Sequence, residues 1–97
     1  MRWFNVLFLI SACTGPETID VEIRDLVFHP FDRLVSVGDT VVWTNRDVVP
    51  HTVTFGDREG QDEVPPGGTW ELIVPPGDTL RYRCRHHPLM TGRLVVR

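Results

Sequence analysis

Lysine is absent from this 97-residue chain, and all ten basic residues are arginine. Thirteen acidic residues outnumber them, giving a formal net charge of −3. Nucleic-acid binding needs a concentrated positive surface, so this mild acidity argues against such a partner. Cysteine occurs only twice, which permits at most one disulfide, Cys13 to Cys84. Against that pairing, Cys13 adjoins a cleavage-like segment whereas Cys84 lies among His and Met. Long apolar runs are also missing. The run Val6-Leu7-Phe8-Leu9-Ile10 falls well short of the ~20 residues a membrane-spanning helix requires. No stretch has convincing helical periodicity, and a chain this short holds one domain at most.

The two ends of the chain differ in kind. Residues 1–12 begin with one positive charge at Arg2, continue through the apolar run and end in small Ser11-Ala12. That order matches an export signal, shorter than usual. Ile10-Ser11-Ala12-Cys13 resembles the lipobox of bacterial lipoproteins, which makes Cys13 the expected lipidation site and residues 1–12 the removed signal. Residues 13–18 read as a short linker and residues 19–97 as the folded domain. The expected location is periplasmic or on the outer face of the envelope, with membrane contact only through the lipid.

Within the domain the pattern is all-β. Ile19, Val21 and Ile23 alternate with Asp20, Glu22 and Arg24, the period of a half-buried strand, before Leu26-Val27-Phe28. Short β-branched or aromatic segments follow at 34–37, 40–44, 51–55, 70–74, 80–84 and 93–96. Gly38, Gly67-Gly68 and Gly77 stand just before strands, the last two after Pro-Pro, as corner or hairpin signals. Seven or eight short strands predict a β-sandwich or barrel. Residues 56–68, with Asp57, Glu59, Asp62 and Glu63, read as an exposed acidic loop.

The chemistry concentrates in Cys84-Arg85-His86-His87-Pro88-Leu89-Met90, with His51 upstream. At about 100° per residue a helix would place Met90 ~120° around from Cys84, and Pro88 would disrupt that helix, so the segment is a loop around a centre. A chain spans at most ~3.6 Å per residue, so Cys84, His87 and Met90 reach one ion easily. Taken singly, Cys84 and Met90 fit as core filler, His51 as a hydrogen-bonded core histidine, and His86 and His87 as solvated loop residues. Together they form the Cys, two-His and weak-Met set of a blue-copper site, in which soft sulfur suits Cu(I) and imidazole suits both oxidation states. His87 is assigned over His86 by spacing. His86 remains a surface group, an alternative ligand or a proton acceptor.

These residues carry a family resemblance. Trp43-Thr44-Asn45-Arg46-Asp47-Val48-Val49-Pro50-His51, then Pro76-Gly77-Asp78-Thr79-Leu80-Arg81-Tyr82-Arg83-Cys84, then His87-Pro88-Leu89-Met90-Thr91-Gly92-Arg93-Leu94-Val95-Val96 resemble the cupredoxins, and the amicyanin and plastocyanin group most. The resemblance implies a Greek-key sandwich. It implies one type 1 copper on His51, Cys84, His87 and Met90, supported from beside by Asn45, Pro50 and Thr52. Relatives often carry Asn where this chain has Thr52, and there it ties the ligand segments together. The implied task is passing single electrons between a redox donor and acceptor, as a monomer.

The resemblance also implies docking through a small apolar patch around the loop His, here Pro50, Pro88 and Leu89. Arg81, Arg83 and Arg85 alternate with Leu80, Tyr82 and Cys84, so strand period puts them on one face. That ladder either pairs with acidic neighbours or steers an acidic partner, with His86 beside it. Two other functions compete. An envelope copper-delivery protein would need a more open, labile site than this four-ligand loop. A Cys84 nucleophile with His51 or His87 as base lacks an evident oxyanion site and orienting acid, so no catalysis is expected.

Overall fold

The structure is a computed structural model that describes residues 15–56 and 63–97. The export segment, Cys13, and Asp57, Glu59 and Asp62 of the acidic loop lie outside the described residues. Eight strands form two four-stranded sheets, with no helix among the described residues. One sheet runs β2 (Val27–His29), β1 (Thr18–Arg24), β4 (Thr40–Asn45), β6 (Thr69–Ile73). The other runs β3 (Asp32–Val35), β8 (Thr91–Val96), β7 (Thr79–Arg83), β5 (Thr54–Phe55). Both sheets are mixed: β1 runs parallel to β4 and β3 parallel to β8, while the other pairs are antiparallel. Parallel neighbours require crossovers, which carry the chain between the sheets and close the sandwich.

Period-two alternation places the core. Ile19, Val21 and Ile23 of β1 are buried, as are Val41 and Trp43 of β4 and Leu94 and Val96 of β8. Trp43 sits at the centre, with ring centroids 5.3 Å from Tyr82 and 5.4 Å from Trp70. Tyr82 also meets Phe28 edge-on at 4.7 Å, an arrangement that aromatic quadrupoles favour. Burial pushes the Tyr82 phenol up to about 12. The turn signals at Gly38 and Gly67 correspond to φ of +94° and +80°, backbone that a side chain would strain.

Two segments depart from the sequence pattern. The apolar stretch after Arg24 is no continuation of β1. Asp25 and Leu26 take φ of +57° and +60° and fold β2 back onto β1. Residues 51–55 are not one strand either, since only Thr54–Phe55 pairs as β5 and His51 makes an isolated bridge to Val64. Thr52 N–H bonds to the Cys84 sulfur (3.4 Å) instead of a neighbouring strand, so the ladder is interrupted there.

Candidate metal centre

The site forms at one end of the sandwich, where β7 runs out into the loop carrying Cys84, His87 and Met90. Three backbone bonds curl this loop. His87 N–H donates to Cys84 O (3.3 Å), Met90 N–H to His87 O (2.8 Å), and Cys84 N–H to Met90 O (3.1 Å). The curl brings the side chains of Cys84 and His87, three residues apart, together. Cys84, fully buried and a free thiol, lies at the centre. Its Sγ is 3.7 Å from Nδ1 of His51 and 3.7 Å from Nδ1 of His87.

The donor atoms of His51, Cys84 and His87 all lie within 4.8 Å of one another. Two atoms bound at about 2.0–2.3 Å to one first-row ion stand at most ~4.6 Å apart, so the 3.7 Å pairs can share an ion. Met90 is buried in the same loop. One sulfur and two imidazoles, with no carboxylate in the group among the described residues, are unlike the oxygen cages of calcium and magnesium and suit copper. His86 is turned elsewhere, with Nε2 2.5 Å from the Glu63 carboxylate. It does not join the cluster.

Neighbouring residues hold the donors in place. Thr52 N–H donates to Cys84 Sγ (3.4 Å), which fixes the sulfur against the His51 segment. Thr52 Oγ1 accepts Arg85 N–H (2.9 Å) and contacts Thr54 Oγ1 (2.9 Å). Short as it is, the threonine joins both ligand segments. Asn45, also fully buried, donates through Nδ2 to Val49 O (2.9 Å) and Val64 O (3.0 Å), and its Oδ1 accepts Asp47 N–H (2.8 Å). This network fixes residues 45–51 from beneath. Pro50, exposed, precedes His51 on the outer side.

Asp47 was not evident as a site residue from sequence. Its carboxylate accepts from His51 Nε2 at 2.8 Å. Burial opposes that carboxylate, yet the N–H groups of Leu26 and Asp25 and the His51 ring outweigh it and hold Asp47 below the usual carboxylate range. The one signal in the sequence was an acid four residues before a histidine.

The rim is uneven. His51 is enclosed, whereas His87 is partly exposed beside Pro88 and Leu89, the latter 97% exposed. Leu26, from the β1–β2 turn, lines the same shallow groove with His86, His87, Pro88, Leu89 and Met90. Arg81 and Arg83 share the outer face of β7. Arg83 donates to Gly56 O (2.7 Å). Arg85 lies past the strand end, so strand period does not align it with the other two.

Comparison with known proteins gives the same picture. No protein-family model matches the chain. It is 32% identical to amicyanin of Paracoccus denitrificans over 97 residues, 89% of this chain and 70% of that protein. Among solved structures it is similar to the Cu(I) form of an amicyanin variant, with TM-score 0.74 and 30% identity over 90% of this chain and 89% of the other. The purple cupredoxin of Nitrosopumilus maritimus shares the fold at TM-score 0.73 and 24% identity, over 81% and 99% of the two chains. Fold, converging soft donors and relatives together make this chain a member of the cupredoxin family, the blue-copper electron carriers.

Proposed function

We propose that His51, Cys84, His87 and Met90 are the ligands of the one type 1 copper, and that the electron crosses the surface at His87. The observation that supports this most is the pair of 3.7 Å contacts that aim Nδ1 of both imidazoles at one buried sulfur. Copper supplies a one-electron couple between Cu(II) and Cu(I) when bound. The residues do the rest: Cys84 and the imidazoles hold the ion, the core excludes water, and His87 is the ligand nearest the outside. Its rim of Leu26, Pro88 and Leu89 suits a flat apolar contact that desolvates quickly. Pro50 and Val48 are further exposed apolar residues, on the segment that leads into His51.

Arg81 and Arg83 fit a steering role toward an acidic redox partner, with Arg85 and His86 nearer the loop. The chain itself performs no catalysis and acts as a monomer between donor and acceptor. The signal-like composition of residues 1–12 and the lipobox-like Cys13 support a location outside the cytoplasm with a lipid anchor at Cys13. Titration with Cu(II), followed by visible absorption and EPR beside a Cys84→Ser variant, tests the site. An intense blue band with narrow hyperfine splitting, lost in the variant, is expected. A pale, ordinary copper spectrum in the wild type overturns the ligand assignment. Steering predicts an electron-transfer rate that changes with ionic strength, and a flat profile refutes it.

A further inference from the structure

The geometry points to Asp47 as a positioning residue that clamps the buried ligand His51 and the exposed Asp25–Leu26 turn to one carboxylate. Three donors converge on it. Asp25 N–H reaches Oδ1 at 2.6 Å, and Leu26 N–H and His51 Nε2 reach Oδ2 at 3.0 and 2.8 Å. The carboxylate is itself anchored, because Asp47 N–H donates to the buried Asn45 side chain at 2.8 Å.

Each arm has a consequence. An ionised carboxylate only accepts, so His51 carries its proton on Nε2. Nδ1 then presents its lone pair toward Cys84, the orientation a metal ligand needs. On the other arm, Asp25 and Leu26 both occupy left-handed backbone, φ +57° and +60°. For a bulky leucine that is an unusual conformation, persisting only where surrounding contacts overdetermine it. Asp47 supplies those contacts by accepting both turn amides. The turn in turn presents Leu26, 47% exposed, to the groove beside His87. One side chain thereby ties the rim of the surface to the ligand that never reaches it. This assignment rests on the copper reading for its effect on the metal, though not for its effect on the ring.

Two variants test it, Asp47→Ala and the near-isosteric Asp47→Asn, each measured metal-free and copper-loaded. In the metal-free protein, long-range nitrogen–proton NMR reports the His51 tautomer. Wild type is expected to show Nε2–H alone, and both variants a mixture, with the Asp25 and Leu26 amide resonances displaced. Copper-loaded variants are expected to bind Cu(II) about 10–100-fold more weakly, the usual effect of losing a ligand's outer partner. Their reduction potential rises, since a ring that shares its proton with a carboxylate donates more strongly to Cu(II). An unchanged tautomer and unchanged potential in the variants overturn the proposal. Should wild type lack a blue band, the copper reading fails, while the metal-free tautomer still decides the role of Asp47. If the alanine variant does not fold, the asparagine variant gives the answer.

Discussion

Truncation of Asn45 probes how the frame holds the site. Its side chain makes three hydrogen bonds at 2.8–3.0 Å, to Val49 O, Val64 O and Asp47 N–H, with no solvent exposure. In Asn45→Ala the Val64 carbonyl keeps another donor, His51 N–H at 3.1 Å. The Val49 carbonyl and the Asp47 amide lose the partner that Asn45 supplied. A buried group left unsatisfied costs about 1–3 kcal/mol, and water can reach the Val49 end, so the total is about 2–4 kcal/mol. For a domain of this size that lowers Tm by roughly 10–30 °C. Asn45→Asp sharpens the test. It keeps an acceptor for Asp47 N–H but turns a second oxygen toward two carbonyls, so it must be protonated to fit. Its instability should therefore grow between pH 5 and pH 8, while that of Asn45→Ala stays flat over the same interval. Guanidinium unfolding of the three proteins at both pH values measures this. Alanine within about 0.5 kcal/mol of wild type, the range of ordinary surface changes, would refute the reasoning.

Two further outcomes follow from the packing and the charges. A Cβ on Gly92 would fall onto the Tyr82 ring, 2.7 Å from Cε2, so Gly92→Ala should cost about 1–3 kcal/mol by overpacking. In a Tyr82→Leu background the same change should become neutral or gain about 0.5–1 kcal/mol, the ordinary strand preference for Ala over Gly, and unfolding of the double-mutant cycle reads the sign. Asp39 is held below the usual carboxylate range by the N–H groups of Glu17 and Ser36, so its stabilisation is complete above the unfolded value of about 3.9 and is lost as pH falls through the lower folded value. Urea unfolding below about pH 4 should thus show a steeper loss in wild type than in Asp39→Asn, and parallel slopes would count against it.

Local signals made the frame legible. Alternation in β1 and the β-branched stretch of β4 need only their own neighbours, and both strands lie where the pattern predicts. The spacing of Cys84 and His87 was also informative, because a three-residue step in a loop containing proline brings the two side chains together. What escaped was set by distant partners. Residues 51–55 have strand composition, yet Thr52 N–H bonds to the sulfur of Cys84, 32 residues away, instead of a neighbouring strand. Leu26 carries no turn signature, since the acceptor that stabilises its left-handed backbone is Asp47, 21 residues later. Nothing in the residues around Asp47 marks it as that acceptor. Local composition holds no record of such pairings.

Those same distant pairings explain why the site suits an electron carrier. Cys84 is fixed by Thr52 N–H at its sulfur and by Met90 O at its own amide. His51 is bridged to Val64 through both backbone groups and held at its ring by Asp47. These bonds run within the protein and would hold the donors whichever charge a bound copper carries. An ion placed among them meets the same soft, compact set whether it carries one charge or two. Transfer of one electron then requires little movement of the ligands, and little movement means a low barrier. The exposure of the two histidines adds direction. His51 is fully enclosed while His87 lies at the apolar rim, which fits the proposed exit of the electron through His87. A delivery protein would need the reverse, with ligands loose enough to surrender the ion at the surface.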